Sequence, residues 1–125
     1  ETGADTEVAT IFTHASGAIS TTVSSSRAAG PDTAHIVGTE GRIDIDRVWY
    51  TPTSFRLTRP DGTVVEEFRS DVAAGGKQYQ AFAAQELVAA GRIDGDILPI
   101  DETVAIMGTL DEVRAQIGLR YPGED

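Results

Sequence analysis

Asp44 and Asp46 stand two residues apart in Arg42-Ile43-Asp44-Ile45-Asp46, and Glu66 and Glu67 are adjacent in a second short segment. Paired carboxylates do general acid and base work when a cleft separates their pKa values. The isoleucines alternating with Asp44 and Asp46 instead describe a half-buried strand, whose charged face is expected to meet water. A self-sufficient carboxylate hydrolase would need Asp44 or Glu66 in a pocket with a raised pKa. His14 and His35 are the two histidines of a chain without cysteine. A metal site would need both to converge with carboxylates such as Asp44 or Glu66, and no ligand spacing supports that. Serines are plentiful, yet no Gly-x-Ser-x-Gly elbow anchors a hydrolase triad, and Ser24-Ser25-Ser26 reads as strand edge and loop. No catalytic residue and no metal ligand is assigned.

The glycines offer little more. Gly38-Thr39-Glu40-Gly41 has no third glycine and no Lys-Ser/Thr, and a strand rather than a helix follows it, so it reads as a turn. Gly75-Gly76 precedes a predicted helix and could cradle an anion. With no strand-to-helix unit ahead of it, a flexible loop is expected there. Aromatic residues are scarce, which makes their positions informative. Trp49-Tyr50, followed by Thr51-Pro52, falls in a loop after the Asp44 strand, where a large ring can wall a pocket, anchor an interface or lid the sheet. Tyr79, in the first turn of a helix, is expected to pack its ring and keep its hydroxyl at the rim. Trp49 and Tyr79 are the candidates for a substrate cleft or interface.

The elements that must position these residues are strands first and helices last. Hairpins are predicted at Ser16-Gly17, at Thr39-Glu40-Gly41 and at Arg59-Pro60-Asp61-Gly62, where proline presets one turn angle and glycine accepts positive φ. In Ile19 to Ser25 the apolar side chains alternate with Ser20, Thr22 and Ser24, giving a hydroxyl-lined face suited to solvent or to another flat surface. A helix is predicted over Gln78 to Ala90, stopped by Gly91. A second is predicted with Asp101 as its cap, Pro99 just outside, an Ile106, Leu110, Val113, Ile117 stripe, and Gly118 as its stop. The fold class expected is therefore α+β: an open, mainly antiparallel β-sheet with two C-terminal helices packed on one face.

The 125 residues fit a single domain, 1–125, and carry a formal net charge of −10. That charge, with no cluster of Lys or Arg, argues against nucleic acid or an anionic membrane as partner. No apolar run reaches the roughly 20 residues of a membrane span, no signal pattern is present, and a cytoplasmic location is expected. The chain begins at Glu1 without methionine, in a segment already entering a strand, and is expected to be a piece of a longer protein.

Taken together, Gly38-Thr39-Glu40-Gly41, Trp49 with Pro52-Thr53, Tyr79 in its Gly-Gly-x-x-Tyr-x-Ala setting, Ala90-Gly91-Arg92, Leu98-Pro99-Ile100-Asp101 and Met107 to Ile117 form a pattern. In these residues the chain resembles the C-terminal domain of the Gfo/Idh/MocA oxidoreductases, nearest the dihydrodiol dehydrogenase-like branch. The resemblance runs over roughly Glu1 to Glu124. It implies a parent enzyme with an N-terminal Rossmann domain for NAD(P), absent here, acting on a sugar, cyclitol or diol. This chain would be its substrate-side and oligomerisation domain, a homodimer through its open sheet face. It would bind no cofactor and be inactive alone. The resemblance places Trp49 near both cleft and dimer contact, and Tyr79 at the cleft wall. The alternative is a stand-alone, non-enzymatic binding or assembly module.

Overall fold

The structure is a computed structural model that describes residues 4–72 and 74–123. The α+β architecture is present, with every strand antiparallel to its neighbours and the helices at the C-terminal end. The strands are β1 (Glu7–Thr13), β2 (Ile19–Ser25), β3 (Ala34–Val37), β4 (Arg42–Ile45), β5 (Phe55–Thr58) and β6 (Val64–Phe68). The helices are α1 (Gln78–Ala89), after a short 3-10 turn, and α2 (Ile100–Ile117). The strands divide into a β1-β2 ribbon and a β3-β4-β5-β6 meander. The chain falls into two compact units, Glu1–Gly30 with Ile93–Asp125, and Pro31–Arg92.

The predicted turns close the hairpins as their glycines require. Gly17 and Gly62 adopt φ of 86° and 88°, which only glycine takes without strain. In the first unit, β1 and β2 pair from Glu7↔Ser25 to Thr13↔Ile19. That register places Ser20, Thr22 and Ser24 opposite Phe12, Thr10 and Val8, so the hydroxyl-lined face is shared with the half-buried residues of β1. Thr10 and Thr22 hydroxyls meet across it at 2.6 Å. The opposite face carries Ile11, Ile19 and Val23, which are 75%, 68% and 82% exposed. Thr22 and Ser24 of the hydroxyl-lined face are exposed as well, so β2 is open on both faces. Residues Thr10 and Phe12 of β1 and Val113 and Ile117 of α2 line a cleft of about 170 Å³. Ile106 and Leu110 of the predicted stripe stay exposed.

Both helices end in Schellman motifs. Arg92 N–H donates to Leu87 O and Gly91 N–H to Val88 O, with Gly91 left-handed at φ 65°. Leu119 N–H donates to Arg114 O and Gly118 N–H to Ala115 O in the same pattern. The start of α2 differs from expectation. Asp101 lies inside the first turn, Pro99 occupies the N-cap without a side-chain bond, and Asp94 Oδ1 accepts the Ile100 N–H at 3.1 Å. Proline holds the chain extended just outside the helix, so Asp94, six residues earlier, takes the free donor. Tyr121 closes the last turn by lying over the Arg114 guanidinium, 4.4 Å from the ring centroid.

Among the described residues no hydrophobic side chain is buried, and the one buried residue is Thr58, 7% exposed. The accessible surface is 10576 Å². A folded monomer of this mass exposes about 6,400 Å², and two separate domains of half the mass about 7,700 Å² in total. The excess is therefore local to each unit: their apolar faces are open.

Candidate functional site

The loop from Asp46 to Ser54, between β4 and β5, carries Trp49. It turns at Val48, whose φ of 59° is left-handed, a conformation uncommon for a β-branched residue and costing roughly 1–2 kcal/mol. Several bonds hold it there. Thr51 N–H and Thr51 Oγ1 both donate to Val48 O, at 2.9 and 2.8 Å. Trp49 N–H donates to Asp32 O at 3.2 Å, and the Arg47 guanidinium lies 3.8 Å from the Asp32 carboxylate. The outcome is an exposed aromatic pair: Trp49 and Tyr50 meet edge to face, centroids 5.8 Å apart at 85°. Tyr79 packs edge to face on Phe82, 6.4 Å away, rather than into a core. Trp49 and Tyr79 are 52% and 57% exposed, and among the described residues no ring contact joins them. Tyr50 was legible only as Trp49's neighbour in sequence.

The second cluster lies on the charged face of the meander. Strand register sets His35 opposite Asp44, Asp44 opposite Arg56, and Arg56 opposite Glu67. His35 Nδ1 is 2.9 Å from Asp44 Oδ1, and Arg42 Nε donates to Asp44 Oδ2, also at 2.9 Å. The Arg42 hydrogen bond first, and the His35 bond second, hold the Asp44 carboxyl below its ordinary value of 3.8. Arg56 reaches Asp46 at 3.6 Å, and Arg69 binds Glu67 at 3.1 Å. Each carboxylate on this face thus has a cation beside it. Asp44 is therefore the opposite of the raised, cleft-bound carboxyl that acid catalysis or a carboxylate hydrolase requires. His35 meets a carboxylate, as a metal site would need, but Arg42 occupies the other oxygen. His14 bonds Ser20 Oγ at 2.9 Å, and no group of three or more potential metal ligands forms among the described residues.

The serine run likewise serves structure. Ser25 Oγ donates to Glu7 Oε1 at 3.1 Å and accepts the Arg27 and Ala28 N–H groups at 3.0 Å, which bends the chain out of β2.

The glycine turns are occupied by protein. In Gly38 to Gly41 the Gly38 N–H donates to Gly41 O at 2.8 Å, and a Cβ on Gly41 would lie 2.7 Å from Thr58 O. Gly41 is glycine because β5 backbone passes against it. A Cβ on Gly76 would meet Pro52 Cγ at 2.6 Å, so this glycine packs on the Trp49 loop rather than facing a phosphate. Neither turn links a strand directly to a helix, so neither has the form of a dinucleotide phosphate loop. An open depression of about 520 Å³ lies beside the Gly38 to Gly41 turn, floored by Ile36, Ile43, Leu57 and Val65 with Arg42 and Arg59 at its side. Neither Trp49 nor Tyr79 lines it.

No family model matches the chain, and no curated protein and no solved structure matches it. Among the described residues no helix is long and apolar enough to cross a membrane.

Proposed function

We propose that this chain is the substrate-side and oligomerisation domain of an NAD(P)-dependent oxidoreductase of the Gfo/Idh/MocA type, moving a hydride between nicotinamide and a sugar, cyclitol or diol. The observation that carries the reading is where the resembling residues fall. Gly41 makes room for β5, Gly91 and Gly118 stop helices, Pro99 marks the start of α2, and Trp49 is held out on a strained loop. Such a set builds a scaffold that presents one aromatic edge and supplies no acid, base or coenzyme site. The open apolar faces support the same reading, because a domain completed by other surfaces leaves them for its neighbours.

In this account NAD(P) belongs to the Rossmann domain of the parent enzyme, and the reacting groups to that domain and to the start of the C-terminal domain, upstream of these residues. Trp49 contributes to the substrate cleft or to the dimer contact, and Tyr79 to the cleft wall. The protein works in the cytoplasm as a homodimer through an open sheet face, with neither nucleic acid nor membrane as partner. The isolated chain turns over no NAD(P)H with sugars or diols in a steady-state assay; measurable turnover refutes the reading. The same open faces favour the second reading, a stand-alone assembly module, which predicts that Trp49→Ala in the longest natural gene product weakens association without touching any redox activity.

A further inference from the structure

We infer that Asp32 is the positioning residue for Trp49: its backbone, at the entry to β3, fixes the loop that projects the indole. This rests on the role proposed above for Trp49 and adds what presents it. Among the described residues, two that are not glycine hold a left-handed φ, Asp32 at 53° and Val48 at 59°. They are not scattered. Trp49 N–H donates to Asp32 O at 3.2 Å, so one hydrogen bond joins the two turns. Strain of this kind persists where the surrounding structure over-determines it, and it gathers where a functional group must be held in place.

The strand register explains why these two residues meet. The β3-β4 ladder closes at Ala34↔Ile45, and the same register carried two steps further sets Asp32 opposite Arg47. There the strands part. Asp46 N–H turns to Ser54 O at 2.9 Å, Val48 reverses the chain, and the bond from Trp49 to Asp32 closes the gap that the ladder leaves. Residue type fits the position, because aspartate takes left-handed backbone several-fold more readily than most residues, whereas alanine pays for its Cβ there. The carboxylate adds less. It lies 3.8 Å from the Arg47 guanidinium with both groups well exposed, and an exposed ion pair at that distance contributes little. Asp32 therefore acts through its backbone, and its substitutes rank by tolerance of the left-handed conformation rather than by charge.

The test compares Asp32→Asn, which keeps that tolerance and loses the charge, with Asp32→Ala, which loses both, and with Arg47→Gln, which removes the ion pair alone. Asp32→Ala is expected to speed Trp49 amide exchange roughly tenfold, the fold-change of one lost hydrogen bond. It should also move the fluorescence and acrylamide quenching of the single tryptophan toward those of free tryptophan. The Ile43 amide, in a strand paired on both sides, should stay protected. A merely structural role for Asp32 would lower the unfolding midpoint and leave the native emission of Trp49 where it is. Asp32→Asn and Arg47→Gln should both stay within about twofold of wild type in Trp49 exchange. Unchanged Trp49 exchange and emission in Asp32→Ala, or a Trp49 freed by Asp32→Asn or by Arg47→Gln, overturns the inference. In the longest natural gene product, Asp32→Ala should reproduce the effect of Trp49→Ala on self-association by sedimentation and on NAD(P)H turnover with glucose or myo-inositol as probe. A Trp49→Ala effect that Asp32→Ala does not share also overturns the inference. If Asp32→Ala frees the indole and neither variant alters association or turnover, the role given to Trp49 falls and Asp32 remains its holder.

Discussion

Gly41 is the position where the structure makes its sharpest demand. A Cβ there would stand 2.7 Å from Thr58 O, 3.5 Å from Thr58 C and 3.7 Å from the Arg59 Cα, all backbone of a paired strand at its bulge. No side chain can swing away, so β5 must move by several tenths of an ångström beside the buried Thr58. Overpacking of this kind costs about 1–3 kcal/mol. Alanine also narrows the unfolded ensemble, returning about 0.4–1 kcal/mol. Gly41→Ala should therefore destabilise the sheet by roughly 1–2 kcal/mol, lowering the urea midpoint by about 1–2 M for a unit this small, with m near 1 kcal/mol/M. Trp49, the chain's single tryptophan, lies in the same unit and reports the transition by fluorescence. Gly38→Ala is the internal control. Its Cβ meets nothing closer than 3.5 Å, and Gly38 is not among the left-handed residues, so alanine there should keep the gain from the narrower unfolded ensemble and leave stability equal to wild type or up to about 1 kcal/mol higher. A Gly41→Ala protein that unfolds at the wild-type midpoint, or a Gly38→Ala protein that falls as far, refutes the close-approach explanation of this turn.

Asp94→Ala removes the acceptor for the Ile100 and Gly95 N–H groups and should fray the start of α2, raising Ile100 amide exchange and costing about 0.5–2 kcal/mol, whereas Asp101→Ala should leave that amide protected. Because the Asp44 carboxyl is held low, the stability it contributes is present above its ordinary value of 3.8 and is lost as pH falls through the lowered pKa. Arg42→Gln removes the larger cause, so the Asp44 carboxyl carbon should titrate at higher pH by NMR; an unmoved midpoint counts against the assignment. Val48→Asn replaces a β-branched residue in a left-handed conformation and should stabilise the loop by up to about 1 kcal/mol in the same urea assay. A loss of stability there would mean that the Val48 side chain matters more than its backbone strain.

The local devices of this fold were legible because each depends on neighbours in sequence. Arg59-Pro60-Asp61-Gly62 specifies its hairpin alone, and Gly91 and Gly118 stop their helices where the apolar pattern ends. What escaped depends on distance. Nothing near Pro99 says that Asp94 will cap α2, since that bond needs the intervening loop to fold back. The residues that stand opposite Ser20, Thr22 and Ser24 follow from the pairing of β2 with β1, which Ile19 to Ser25 alone does not specify. His35, Arg42 and Asp44 were visible as residues, but their union requires the β3-β4 register. Trp49 was found as a loop aromatic, while the Val48 backbone that projects it has no signature in residue type, because valine avoids that conformation.

The central claim is that these residues are the scaffold half of an NAD(P) enzyme. The gene's reading frame tests it most directly. The account predicts that the frame encodes, ahead of Glu1, a strand-turn-helix unit with Gly-x-Gly-x-x-Gly at its turn. A frame that starts at or near Glu1 and encodes no such unit anywhere contradicts it.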